Sequence, residues 1–304
     1  MSPFLDRSVV LVAAHPDDGV LFAGSQLAIF RNLWIVHVTD GAGSTKEARA
    51  KGFRTRLAYS RALFAELRAA LDIVGIRAAT RCLGYRDGWS CLKLLGLVRG
   101  LAQLIVETNP ELILTHAYEG GHQDHDTVAL AVQMACALCP SPPPVWEMAC
   151  YHRQNGEYVT HHFLKPLMMS EVTVELTPGQ EQLKRQMLGC FGSQMKFIST
   201  FRTDREEFRP VSTCQFGNPP TDGGLAYEAN VFGYDSAIWR LLVRANHEVL
   251  FRSFPYWRLI PLNVAMYLII KSFRLRKLYP NITRPLERGL FKACSVIGTP
   301  AASP

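Results

Sequence analysis

The chain has little that would place it in a membrane. Its apolar stretch Leu259–Ile270 is twelve uncharged residues interrupted by Pro261 and Asn263, too short to cross a bilayer. The first residues, Met1-Ser2-Pro3-Phe4-Leu5-Asp6-Arg7, lack the basic start and apolar stretch of a secretory signal, so a cytoplasmic protein is expected. Eight cysteines follow no disulfide framework, and Cys136-x-x-Cys139 has no second pair with which to build a zinc cluster. They are expected to be reduced, structural thiols. No Gly-x-Gly-x-x-Gly follows the first apolar run, which argues against a dinucleotide site. Internal repeats and low-complexity tracts are absent too.

Charge is sparse and uneven. The formal net charge is +7, yet nine Lys/Arg and the single acid Glu287 put +8 into residues 252–292 and leave −1 for the rest. A nucleic-acid-binding fold would spread or stripe its basic residues, so no nucleic-acid partner is expected. Here the charge flanks Leu259–Ile270, with Phe254, Tyr256 and Trp257 beside it. An apolar body with an aromatic edge and a basic rim suits peripheral contact with an anionic membrane at its inner face. The plainer alternative is a C-terminal helix packed on the core.

What is present is an alternation of apolar runs and helical stretches, which predicts βαβ units around a mainly parallel sheet. Strands are expected at Ser8–Ala14, Trp34–Thr39, around Arg81–Leu83 and at Glu111–Thr115, with weaker signals at 145–151 and 170–176. Helices are expected at 20–31, 46–75, Leu92–Glu107, 124–139, 178–198 and 235–251, and a loop at 210–225. The fold class is therefore α/β, a Rossmann-like three-layer arrangement over residues 1–251, followed by a basic, apolar extension at 252–304.

In such sheets ligands gather beyond the carboxyl ends of the strands. Polar clusters stand at three of those ends: His15-Pro16-Asp17-Asp18, Asp40-Gly41, and Thr115-His116 leading to Gly120-Gly121-His122-Gln123-Asp124-His125. Two of them offer a ligand type at i and i+3, His15 with Asp18 and His122 with His125. A catalytic zinc site needs three such ligands and an open position. Asp17 and Asp124 remain as spare carboxylates for base and orienting work. The spacing leaves open which of His122 and His125 takes the metal. His152, His161, His162 and His247 are read as ordinary loop histidines.

The pairing of His15-Pro16-Asp17-Asp18 with Gly121-His122-Gln123-Asp124-His125 resembles the PIG-L/LmbE-like deacetylases. Val38-Thr39-Asp40-Gly41, Glu66–Gly75, Leu83-Gly84-Tyr85-Arg86-Asp87 and Phe191-Gly192-Ser193-Gln194 are similar to further landmarks of that family, over about residues 8–200. The resemblance implies a Zn2+ enzyme that removes an N-acyl group, usually acetyl, from an N-acetylglucosamine unit; membrane contact through the basic segment would favour a lipid-linked or amphiphilic glycoconjugate. It implies His15, Asp18 and His125 as metal ligands, Asp17 as general base, and a cationic His122 oriented by Asp124 as oxyanion stabiliser. Asp87 would touch sugar hydroxyls, and Arg61 stands near the position of a family arginine that is Leu63 here. A Glu usual after His-Pro-Asp-Asp is Gly19, which leaves a catalytically weakened binding protein as the alternative.

Overall fold

Strand β1 (Ser8–Ala13) is buried along nearly its whole length, as the central strand of a sheet covered on both faces must be. Its alternation separates two cores. Val10 and Val12 join Val36, Val38 and Ile113 in one apolar layer, while Val9, Leu11 and Ala13 join Ile35, Leu112 and Leu114 in the other. The computed structural model describes residues 4–165, 171–211, 216–222, 224–228 and 236–251. The basic 252–292 segment and the whole expected extension at 252–304 lie outside them.

After β1 come α1 (Asp18–Ala23), β2 (Asn32–Thr39), α2 (Thr45–Ala50), α3 (Arg56–Ile73) and β3 (Ala79–Tyr85). The second half of the sheet is built from α4 (Leu94–Thr108), β4 (Leu112–His116), α5 (Gln123–Leu138) and β5 (Val145–Met148). A hairpin, β6 (Tyr151–Gln154) and β7 (Glu157–Thr160), precedes β8 (Val172–Glu175), α6 (Pro178–Gly189), α7 (Met195–Ile198), β9 (Arg205–Pro210) and α8 (Ser236–Phe251).

The seven-stranded sheet runs β3-β2-β1-β4-β5-β9-β8, parallel through β5 and antiparallel at β9 and β8. The expected three-layer α/β architecture is therefore present. Beyond β1 the order reverses, with β2 on one side and β4 on the other, so the crevice for a ligand opens above β1 and β4. Thr115 Oγ1 donates to the Val12 carbonyl at 3.0 Å, and the Ala14 N–H donates to His116 Nε2 at 2.9 Å. These bonds tie together the two strand ends that carry the motifs.

Several expected elements are cut shorter. The 46–75 helix is two, split at Lys51-Gly52-Phe53, where Gly52 has φ +87°. Each piece has its own start: Ser44 and Glu47 form a capping box, and Thr55 Oγ1 accepts from Ala58 N at 3.1 Å. The 20–31 helix ends at Ala23 and gives way to a 3₁₀ turn at Leu27–Ile29. The 178–198 helix breaks after Gly189, and the 145–151 strand breaks after Met148. Strand β9, Arg-Glu-Glu-Phe-Arg-Pro, has no counterpart in the sequence-based reading. Its charges are paired inside: Glu206 with Lys184 at 2.7 Å, and Arg209 with Glu147 at 2.8 Å.

Candidate metal and catalytic centre

His15 leaves the end of β1, and Pro16 turns the chain so that Asp17 sits at the N-cap of α1 and Asp18 in its first turn. The His15 N–H donates to Asp18 Oδ2 at 2.7 Å, which fixes that carboxylate beneath the imidazole. Across the crevice His122 caps α5 and His125 lies in its first turn. The close approach of that turn to β6 requires a glycine at 121, since a Cβ there would lie 1.9 Å from the Tyr151 carbonyl oxygen.

The two strand ends bring three of the predicted residues to one point. His15 Nδ1 is 3.3 Å from Asp18 Oδ2, His125 Nε2 is 3.2 Å from Asp18 Oδ1, and the two ring nitrogens are 3.3 Å apart. Those separations match the edge of a tetrahedron, about 3.3–3.4 Å, around an ion bound at about 2.0–2.1 Å. His15, His122 and His125 also form a metal-capable group, with ring nitrogens all within 4.8 Å. The donor set and its spacing fit a divalent metal.

Electrostatics agree. Burial by itself would lower the His15 pKa, but Asp18, Asp87 and Asp124 outweigh it and hold it well above the ordinary value. Burial would raise Asp18, yet His125, His15 and His116 hold its pKa well below the carboxylate range. His125 is pushed down to about 4, chiefly by burial and then by His116, so it offers a neutral nitrogen. The cluster is built to hold positive charge between its carboxylates.

Asp17 is 6% exposed, and burial followed by the neighbouring Asp18 charge raises its pKa to about 7. Asp87 Oδ1 lies 3.2 Å from His15 Nε2, at the edge of the same cluster. Asp124 accepts from Gly88 N at 2.6 Å, Ser90 N at 3.2 Å and Ser90 Oγ at 2.5 Å, and its Oδ2 is 3.6 Å from His15 Nε2.

Two expectations change here. His122 was expected to be a cation, but burial and then the nearby His15 push its pKa down to about 4. Its Nδ1 accepts the Asp124 main-chain N–H at 3.1 Å, so the neutral ring carries its proton on Nε2. Orientation of His122 by Asp124 thus runs through this main-chain bond. Arg61 is exposed on α3 and does not join the cluster, whereas Arg56 reaches Asp40 Oδ2 at 2.5 Å and the Gly43 carbonyl at 2.7 Å.

The sequence-based reading also missed residues. His116 is fully buried, its ring stacked on His125 with centroids 4.0 Å apart, and its Nδ1 is 3.2 Å from Cys150 Sγ. Its place at a parallel strand end was a usable signal. Cys150, expected to be a bland thiol, forms a second metal-capable group with His116 and His125. Of the histidines set aside, His152 and His161 are buried and belong to none of the metal-capable groups among the described residues, and His247 lies in α8.

Comparison with known proteins places this geometry. Residues 10–136, which carry both ligand motifs, match the family model described as PIG-L: GlcNAc-PI de-N-acetylase. Enzymes of this family hydrolyse an amide C–N bond. The fold resembles a triple mutant of the deacetylase of the teicoplanin biosynthetic pathway, at TM-score 0.53 and 19% identity over 68% of this chain and 99% of that one. It also resembles the A40926 pseudoaglycone deacetylase Dbv21, at TM-score 0.52 and 17% identity over 67% and 97%. The zinc-inhibited form of teicoplanin deacetylase Orf2 gives 0.51 and 18% over 68% and 98%. At these identities the likeness is one of fold. No curated protein sequence matched the chain.

Proposed function

We propose that the chain is a zinc-dependent hydrolase that removes an N-acyl group, acetyl above all, from an N-acetylglucosamine-type amino sugar. The observation that carries this reading is the triangle of His15 Nδ1, the Asp18 carboxylate and His125 Nε2, with edges of 3.2–3.3 Å and Asp17 beside it. A divalent ion held by these three residues would polarise the amide carbonyl and activate water. Two imidazoles and a carboxylate suit zinc, although other divalent ions bind such sets.

The remaining steps belong to side chains. Asp17 takes a proton from the attacking water and returns it to the departing amine nitrogen. A pKa near 7 suits both transfers at neutral pH. The Nε2–H of His122 donates to the carbonyl oxygen as negative charge develops there, a role that needs a fixed donor and no net charge. Asp124 keeps His122 in that tautomer, and Asp87 receives a sugar hydroxyl at the edge of the cluster. Gly19 has room for a side chain, since a Cβ at that position would meet only Leu11 at 3.4–3.5 Å.

The family description and the deacetylase neighbours support an amino-sugar substrate, and the description of the family supports a lipid-linked one. A catalytic unit ending near residue 251, with peripheral membrane contact through 252–292, rests on the sequence alone. No helix among the described residues is long and apolar enough to cross a membrane. Acetate release from N-acetylglucosamine and its alkyl glycosides tests the reading. Zinc-loaded protein should release acetate, and chelation should stop it. No release from any of them with zinc fully loaded would contradict it.

A further inference from the structure

Strands β2 and β3 end side by side, with Thr39 in register with Tyr85, so Asp40 and Asp87 leave the sheet at neighbouring points. The Asp40 N–H donates to the Tyr85 carbonyl at 2.8 Å, and the Asp87 N–H donates to Asp40 Oδ1 at 3.4 Å. Asp40 Oδ1 also accepts from Ala42 N at 3.2 Å, while its Oδ2 accepts from Arg56 Nη2 at 2.5 Å. The Nε of the same guanidinium donates to the Gly43 carbonyl at 2.7 Å. Arg56 thus grips both ends of the turn 40–43, whose Gly41 and Gly43 stand at φ +62° and +55°.

That turn walls in Asp87. Asp87 Oδ1 is 3.2 Å from His15 Nε2, and Oδ2 lies 3.5 Å from where a Cβ on Gly43 would stand. His15 Nδ1 faces Asp18 and His125, so the neutral ring carries its proton on Nε2 and donates it toward Asp87. A histidine ligand whose other nitrogen is held by a carboxylate is fixed in tautomer and in ring orientation. The bonds therefore run without a gap from Arg56 through Asp40 and Asp87 to His15. The ion pair that starts this chain has little to offer stability. Its side chains are 25% and 23% exposed, and pairs so open to water contribute little to folding.

We propose that Arg56 is a positioning residue of the candidate centre. Through Asp40 it holds the Asp87 carboxylate where one oxygen fixes the metal ligand His15 and the other is left for a sugar hydroxyl. The sugar half rests on the de-N-acylase reading, whereas the metal half needs only the metal-capable cluster.

The test is a double-mutant cycle on the full chain: Arg56→Gln, Asp87→Asn and both together, with zinc and the methyl glycoside of N-acetylglucosamine as probes. Zinc dissociation constants come from competition with a chelating dye, and kcat and KM from acetate release at saturating zinc. Asp87→Asn should weaken zinc binding about 10–100-fold, the usual cost of losing a ligand's hydrogen-bond partner, and raise KM. Arg56→Gln should move both quantities the same way, by about tenfold for zinc. Added to Asp87→Asn it should cost no more than about a further twofold in either, because it acts through the group already removed. Arg68→Gln, at an exposed position of the same helix, should keep wild-type values. Wild-type zinc affinity in Arg56→Gln overturns the metal half, and wild-type KM overturns the sugar half. Losses that add in full in the double variant overturn both, since Arg56 would then act by another route. Wild-type protein that binds zinc yet releases no acetate contradicts the hydrolase reading and the sugar half with it, while the zinc arm of the cycle still decides the metal half.

Discussion

The Asp18 carboxylate bridges two histidines from opposite sides of the sheet's reversal point, with Oδ2 3.3 Å from His15 Nδ1 and Oδ1 3.2 Å from His125 Nε2. Asp17, one residue earlier, has no part in that bridge. Two adjacent carboxylates with such different surroundings should fail in different ways. Asp18→Asn should lower metal content measured by mass spectrometry. Asp17→Asn should keep the metal and lose turnover by about 10²–10⁴-fold, the usual cost of removing a general base. Equal metal loss in both would reverse the assignment.

Glycines 19 and 121 should also part company. A Cβ at Gly19 makes ordinary contact with Leu11, so Gly19→Ala should change the unfolding free energy by no more than about 1 kcal/mol. A Cβ at Gly121 collides with the Tyr151 main chain, which cannot swing aside as a side-chain tip could. Gly121→Ala should cost several times as much in urea unfolding, roughly 3 kcal/mol or more. Similar losses in the two variants would contradict the close approach of α5 to β6.

Glu119 makes stability depend on pH. Burial raises its pKa from an ordinary value of 4.5 to about 8. Between those values the folded chain binds more protons than the unfolded one, so this contribution is complete below about pH 4.5 and fades as pH rises toward 8. Glu119→Gln should flatten the decline in unfolding free energy between pH 5 and 8 relative to wild type. An unchanged slope would show that Glu119 titrates normally.

The parallel half of the sheet was legible because its strands are continuous apolar runs, and the ligand motifs were legible because they stand at the ends of those runs. Strand β9 was hidden by its own composition. Four of its six residues are charged, and Glu206, Glu207 and Arg209 are buried only because partners from distant segments, such as Lys184 and Glu147, neutralise or bond them. No local pattern announces such pairing. The same holds for Cys150, whose contact with His116 depends on how β5 gives way to β6. The split of the 46–75 helix was nearer the surface of the sequence, since Gly52 and Thr55 supply a break and a new cap.

The charge state of His122 shows where a motif falls short of its surroundings. Residue type and position agree with the family, but the pKa is lowered by burial and then by the nearby His15, and the tautomer is set by the Asp124 N–H on Nδ1. Neither is written in the spacing of Gly-His-Gln-Asp-His.

The most direct measurement is an anomalous-difference map at the zinc edge from crystals grown with zinc. One peak is predicted at about 2.0–2.2 Å from His15 Nδ1, an Asp18 carboxylate oxygen and His125 Nε2, with Asp17 beyond bonding distance. A peak on His116 and Cys150 in its place, or none at full zinc occupancy in solution, would contradict the account.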